Sequence, residues 1–296
     1  MKLWKHPYHI LPPGGGLERI GNLLRVQNAE GSIGYADMML WPELGQNSAA
    51  EELDRLTRGC PTALGKWVLS LAVKDAGARH QNLSLWAGLP SIPESHYFIG
   101  GIEQLRNLNT LFKTLKVKAR GPFDAGLIRA CPAQLRIDWN ESGFFSDLVR
   151  LFEDPAVRKK IDFLEDPFSA FDFDAWRKFK TQYPDLSLYG DFALEKNSEL
   201  WNVCDGVVLK PASRDPHPAI EKSLSDPKQI CVTHSMGHPL GTSVAAWFAA
   251  SAQCQSTGLL PHPRLLDSSF EWAERLDGPG FGWKTEKFES LTWQRL

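Results

Sequence analysis

The sequence predicts an α/β fold: a barrel of parallel strands that follows an N-terminal α+β segment. Three observations predict it. Short apolar segments from about residue 95 onward alternate with amphipathic stretches, one strand–helix unit apart. Most of those segments end on a charged residue. The first 90 or so residues carry a different pattern, a few strands and then helices. Right-handed crossovers also allow a doubly wound sheet, which stands as the alternative.

Taken in order, Leu23 to Val26 reads as a short strand. The run Ala29-Glu30-Gly31-Ser32-Ile33-Gly34 carries turn glycines, and Tyr35 to Leu40 reads as the returning strand. Before them, Pro12-Pro13-Gly14-Gly15-Gly16 has neither a strand nor a Gly-Lys-Ser/Thr to make it a phosphate loop. It is expected to be a mobile surface loop, of the kind that serves as a lid. Trp67, Leu71 and Ala72 fall near helical spacing within a helical run from Cys60 to Arg79. The candidate barrel strands are His96–Ile99, Leu115–Lys118, Leu135–Asp138, Phe163–Glu165, Leu186–Asp191, Gly206–Lys210 and Gln229–Thr233, with an eighth near Gly258-Leu259-Leu260-Pro261. Between them, Leu148, Leu151 and Phe152 mark one amphipathic helix. Phe173, Trp176, Phe179 and Tyr183 mark another.

Composition narrows the function classes. At 296 residues, 43% apolar and 23% charged, the chain is long enough for one large barrel and is not disordered. Lys+Arg at 33 against Asp+Glu at 35 gives a formal charge of −2, which argues against a broad nucleic-acid surface but not against a small charged pocket. The five cysteines, at 60, 131, 204, 231 and 254, are odd in number, widely spaced and without a CxxC. They read as reduced core thiols of a cytoplasmic protein. No segment approaches the roughly 18 apolar residues of a membrane helix, and the N-terminus has no signal-peptide core. No membrane association is expected.

The charged strand ends fall at Lys118, Asp138, Glu165, Asp191 and Lys210, spaced 20, 27, 26 and 19 residues apart. A parallel barrel gathers all its strand C-termini on one face, where active sites form. Singly, a strand-end carboxylate often caps the next helix and a strand-end lysine is often merely solvated. The ordered series of five is harder to explain that way. As strands two to six of eight, they would set Lys118 and Lys210 on opposite walls, with Asp138, Glu165 and Asp191 on the arc between. Three carboxylates suit a hard divalent cation, Mg²⁺ first. With that ion and the two lysines the pocket carries about +1, which favours an anionic substrate. Such a cation beside a substrate carboxylate stabilises the charge that develops when the neighbouring C–H loses its proton. Lys118 must itself be deprotonated to act as the base. Lys116, two residues back on the same strand face, supplies a positive charge that helps it lose its proton.

These residues resemble the enolase superfamily, and within it the muconate-cycloisomerase-like group, whose chemistry pairs a Lys or His base with Mg²⁺. The resemblance covers nearly the whole chain. Lys116-Val117-Lys118 is similar to the family's Lys-x-Lys, Asp138-Trp139-Asn140 to its Asp-x-Asn and Glu165-Asp166-Pro167 to its Glu-Asp-Pro. Gly190-Asp191 and Lys210-Pro211 match the next two positions. The resemblance implies a modified (β/α)₇β barrel over residues 93–296. An N-terminal α+β capping domain would span 1–92, with the C-terminal end of the chain packing against it. It implies Asp138, Glu165 and Asp191 as ligands of Mg²⁺, with Mn²⁺ able to substitute. Lys118 would be the base and then the acid, Lys116 its helper, and Lys210 a fixed cation. Ser235, Asn140 and Gly237 are the expected contacts to a small dicarboxylate.

The short chain and reduced capping segment are most like the superfamily's dehydratases that aromatise a hydroxycyclohexadiene carboxylate. N-acylamino acid racemisation and dipeptide epimerisation are the enzymatic alternatives, and a non-catalytic binding barrel is the remote one. The oligomeric state is left open.

Two segments depart from the family pattern. The seventh strand runs Thr233-His234-Ser235-Met236-Gly237-His238-Pro239-Leu240-Gly241, with Gly237 where a glutamate often stands. The contact that glutamate makes is expected to be lost or replaced, with His234 and His238 as candidates. The eighth strand lacks the Asp-x-Asp by which dipeptide epimerases hold the substrate amine.

Overall fold

The computed structural model describes residues 1–12, 17–107, 111–119, 123–262, 264–266, 270 and 276–296. The chain opens with three antiparallel strands, β1 (Lys2–Leu11), β2 (Arg19–Gln27) and β3 (Ile33–Met38). Helices α1 (Ala49–Thr57) and α2 (Ala63–His80) follow. Ser48 starts α1 with a reciprocal capping box to Glu51, and Thr62 caps α2 through the Gly65 amide. Tyr8, Leu23, Leu24, Val26 and Tyr35 pack against Leu53, Leu56, Val68 and Leu71 in one apolar cluster.

Eight parallel strands then close a barrel: β4 (Ser95–Ile99), β5 (Thr114–Lys118), β6 (Gln134–Asp138), β7 (Ile161–Glu165), β8 (Leu188–Gly190), β9 (Gly206–Leu209), β10 (Gln229–Thr233) and β11 (Ser256–Leu260). The ring runs in sequence order, and β11 closes it against β4. The connecting helices are α3 (Ala125–Ala130), α4 (Phe145–Phe152), α5 (Pro155–Arg158), α6 (Phe173–Gln182), α7 (Phe192–Lys196), α8 (His217–Ser225) and α9 (Pro239–Ser251). The aromatic rows read from the sequence form the α4 and α6 seams: Phe152, Phe179 and Tyr183 meet edge to face. This is the parallel barrel, and the doubly wound alternative falls away.

The end of the chain returns to the first sheet. After β12 (Arg264–Leu265) and α10 (Thr285–Glu289), β13 (Gln294–Arg295) pairs with β1, as β12 also does. Buried Asp75 of α2 helps to hold this return. It accepts from the Tyr35 amide at 2.9 Å and the Phe281 amide at 3.0 Å, and pairs with Arg79 at 2.5 Å.

Some expectations shift. β1 was not read as a strand, and β8 is shorter than Leu186–Asp191 because Asp191 turns into α7. All but Pro12 of the Pro12–Gly16 loop lies outside the described residues. All five cysteines are free, but Cys60 is exposed instead of in the core. Among the described residues no helix is long and apolar enough to cross a membrane.

Candidate active site

The barrel register sets the site. Lys118 of β5 stands beside Asp138 of β6, and Asp138 beside Glu165 of β7. Asp191 and Lys210 directly follow β8 and β9. Lys118 and Lys210 are therefore four strands apart in a ring of eight, on opposite walls. Residues 116 and 118 share a strand face, and the two lysines share one oxygen. Lys116 Nζ lies 2.9 Å and Lys118 Nζ 2.7 Å from Asp138 Oδ2. Lys116 also reaches both Glu165 oxygens at 2.7 Å. Lys210 donates to Asp191 Oδ2 and sits 4.2 Å over the Phe192 ring.

The carboxylates are only 2% (Asp138), 1% (Glu165) and 4% (Asp191) exposed, so their charges need partners. Burial would raise Asp138, but Lys116 and Lys118 hold it below the usual carboxylate range. Asp191 is likewise lowered against burial by Lys210 and Arg214. Burial and the charges of Asp138 and Asp191 push Glu165 up to about 7, against the pull of Lys116. Lys116 stays charged: burial works against it, and Asp138 and Glu165 outweigh burial.

The ordinary reading of Asp191, a helix cap, fails here. It occupies the position before α7, yet its side chain makes no capping bond. It is spent on Lys210 and on Arg214, whose Nη2 lies 2.6 Å from Oδ1. Instead, buried Asp166 fixes this turn, accepting from the Asp191 amide at 2.8 Å and the Ala193 amide at 3.2 Å. Sequence reasoning missed Arg214, four residues beyond Lys210. It also gave Asp166 no role of its own, although the residue stands inside the Glu-Asp-Pro run.

The donor set fits a hard divalent cation. Three buried carboxylates follow one another along the strand ends, and the Lys116 ammonium already sits as a cation between Asp138 and Glu165. As placed, no three acidic, histidine or cysteine side chains among the described residues close on one point. Lysines and Arg214 take the oxygens. Asp138, Glu165 and Asp191 are the residues that could hold the ion.

The expected substrate contacts separate. Asn140 Oδ1 accepts from Lys118 Nζ at 2.8 Å while its backbone N–H donates to Asp138 Oδ1 at 3.0 Å, so it orients the lysine. Ser235 is 4% exposed, and its hydroxyl has no hydrogen-bond partner among the described residues. Gly237 faces the capping sheet: a Cβ there would run into the Asp37 carboxylate and Met39. No side chain fits in that direction.

The two histidines beside that position are engaged with the main chain of their own segment. Burial pushes both His234 and His238 down to about 3, so both are neutral. His238 caps α9, accepting from the Leu240 amide at 3.1 Å, and His234 accepts from the Met236 amide at 3.2 Å. The carboxylate beside Gly237 belongs to Asp37. On the other loop, Trp67 of α2 donates its indole N–H to Pro211 O at 2.7 Å, next to Lys210.

A closed parallel barrel with an antiparallel capping sheet is a fold that this chain shares with several solved enzymes. In sequence the chain is similar to o-succinylbenzoate synthases. Residues 15–78 match the family described as O-succinylbenzoate synthase, N-terminal domain. An o-succinylbenzoate synthase of Bdellovibrio bacteriovorus is 28% identical over 94% of this chain and 92% of its own length. Two solved structures share the fold at 16% identity. One is the N-succinyl Arg/Lys racemase of Bacillus cereus, with a TM-score of 0.76 over 100% of both chains. The other is the o-succinylbenzoate synthase of Thermosynechococcus elongatus, complexed with Mg in its active site, with a TM-score of 0.69 over 88% of this chain and 92% of that one.

Proposed function

We propose that this chain is an o-succinylbenzoate synthase. It is a carbon–oxygen lyase that removes water from 2-succinyl-6-hydroxy-2,4-cyclohexadiene-1-carboxylate. The observation that carries the chemistry is the pair of lysines opposed across an arc of three buried carboxylates. The fold alone serves both racemases and synthases. The likeness of the N-terminal segment and of the whole chain to synthases favours dehydration.

Asp138, Glu165 and Asp191 hold a divalent cation, Mg²⁺ by donor chemistry and Mn²⁺ as substitute. When bound, it supplies positive charge to the substrate carboxylate as that group takes up electron density. Lys118 takes the proton α to the carboxylate. The C–H electron pair moves into the ring. Lys118 then returns the proton to the departing hydroxide as the C–O bond breaks, leaving water and an aromatic ring. Asn140 holds Lys118 in line by the bond described above. Lys210 keeps its proton and faces the developing charge from the opposite wall, held by Asp191 and the Phe192 ring. Arg214 pins Asp191 from its other side. Ser235 meets a substrate carboxylate. The reading carries with it a small dicarboxylate substrate, a step of menaquinone biosynthesis and a cytoplasmic location.

The test is direct. Purified protein with Mg²⁺ should convert the cyclohexadiene into a product with strong new ultraviolet absorbance. An N-succinylamino acid in D₂O should exchange its α-proton far more slowly. Rapid racemisation with no aromatisation would overturn dehydration and install the racemase.

A further inference from the structure

Ser235 lies on a segment that is held largely from outside itself. Ser235 lies between the end of β10 and the start of α9, and the next residue, Met236, has φ of 51°. That left-handed conformation is sparsely populated for a residue with a side chain and persists only where neighbours fix it. Three bonds do so. The Met236 amide donates to His234 Nδ1 at 3.2 Å. The His238 amide donates to Asp37 Oδ2 at 3.0 Å and to the Tyr8 hydroxyl at 3.1 Å. Between them, the Trp41 indole N–H donates to Ser235 O at 3.1 Å.

Two of these anchors, Asp37 and Trp41, come from the last residues of β3 and just beyond it. Trp41 is itself fixed. The Arg19 guanidinium lies 3.8 Å over its ring and is held by Glu43, and the Trp41 amide donates to Gln46 Oε1 at 2.8 Å. The main chain around Ser235 is thus gripped from the capping sheet, while its hydroxyl, itself buried, has no hydrogen-bond partner among the described residues.

We infer that Trp41 is a positioning residue: its indole N–H, through Ser235 O, sets where the Ser235 hydroxyl meets the substrate carboxylate. The inference rests on the synthase reading for its catalytic consequence, but not for the clamp itself. The N-terminal sheet then shapes a contact made by the seventh barrel strand.

A double-mutant cycle tests it. Trp41→Phe keeps the ring under Arg19 and removes only the donor. Trp41→Phe and Ser235→Ala should each raise KM about ten-fold, the scale of one hydrogen bond to a charged group, with kcat changed much less. The double variant should be no worse than Ser235→Ala, because both act through one hydroxyl. A KM raised by the product of the two single effects would overturn the inference. Amide hydrogen exchange reads the clamp without substrate: Met236 and His238 should exchange at least several-fold faster in Trp41→Phe. Unchanged exchange would equally overturn it. Wild-type protein that turned over no cyclohexadiene would refute the synthase reading, and the exchange measurement would still decide the clamp.

Discussion

Lys118 and Lys210 differ in what holds them, and that difference bears on the proposed roles of base and fixed cation. Lys118 leans on Asp138 and the neutral Asn140, and Lys210 on Asp191, which Arg214 also grips. Lys118→Ala should lower kcat by several decades, and Lys118→Arg should do no better, since a guanidinium cannot give up its proton. An active Lys118→Arg enzyme in a turnover assay would assign the proton to another group. Asp138→Asn, Glu165→Gln and Asp191→Asn should each abolish activity that Mg²⁺ restores to chelator-treated wild type. Full turnover in excess chelator would remove the cation from the scheme. Gly237→Glu should not bring back the family pattern. It drives a carboxylate onto Asp37 and should cost about 3 kcal/mol or more in a denaturant titration. The five strand-end residues were legible because a parallel barrel turns sequence order into spatial order. Asp37 was not legible, because nothing local in Ala36-Asp37-Met38 tells that the carboxylate will lie against Gly237, two hundred residues away.

Among the elements, the barrel strands were legible and β1 was not. Each barrel strand is a short apolar run closed by a charge. β1 reads Lys2-Leu3-Trp4-Lys5-His6-Pro7-Tyr8-His9-Ile10-Leu11, where polar side chains and a proline blur the alternation. Pro7 is tolerated because, among the described residues, the strands that β1 pairs with beyond β2 are two residues long and meet it at Trp4–Lys5 and Ile10–Leu11. Those partners come from the end of the chain, a pairing no local pattern reports. Asp75 is the matching case among the helices. It looks like one more polar residue of α2, yet it satisfies amides from β3 and from the segment after β12. Asp75→Ala strands the Arg79 charge and both amides and should destabilise by about 3–5 kcal/mol. Urea unfolding checks this, and a loss under 1 kcal/mol would show that the return of the chain is held elsewhere.

For the whole molecule, buried groups near the contact between cap and barrel respond to pH in opposite directions. Burial pushes Asp37 up to about 7 from an ordinary carboxylate value of 3.8. The folded state therefore binds its proton more tightly than the unfolded chain does. The stability tied to that proton is complete below about pH 4 and is lost as pH rises through about 7, a few kcal/mol in all. His234 and His238 run the other way. They are neutral when folded, so their contribution is lost as pH falls below 6.5 toward 3. Subtracting the unfolding free energy of Asp37→Asn from that of wild type isolates the carboxylate. The difference should decline between pH 4 and 7, and a flat difference would show that Asp37 is charged throughout. The pairing of β13 with β1 bears on how the molecule responds to force. Trp4 faces Arg295, Lys5 faces Gln294, and the two strands run antiparallel with the chain ends at the same side. Tension applied between residues 1 and 296 would load this short ladder from its free end, one hydrogen bond at a time, instead of shearing all of it at once. A single molecule stretched by its ends should yield first at low force, releasing the C-terminal segment from the edge of the sheet while the eight-stranded ring still carries no load.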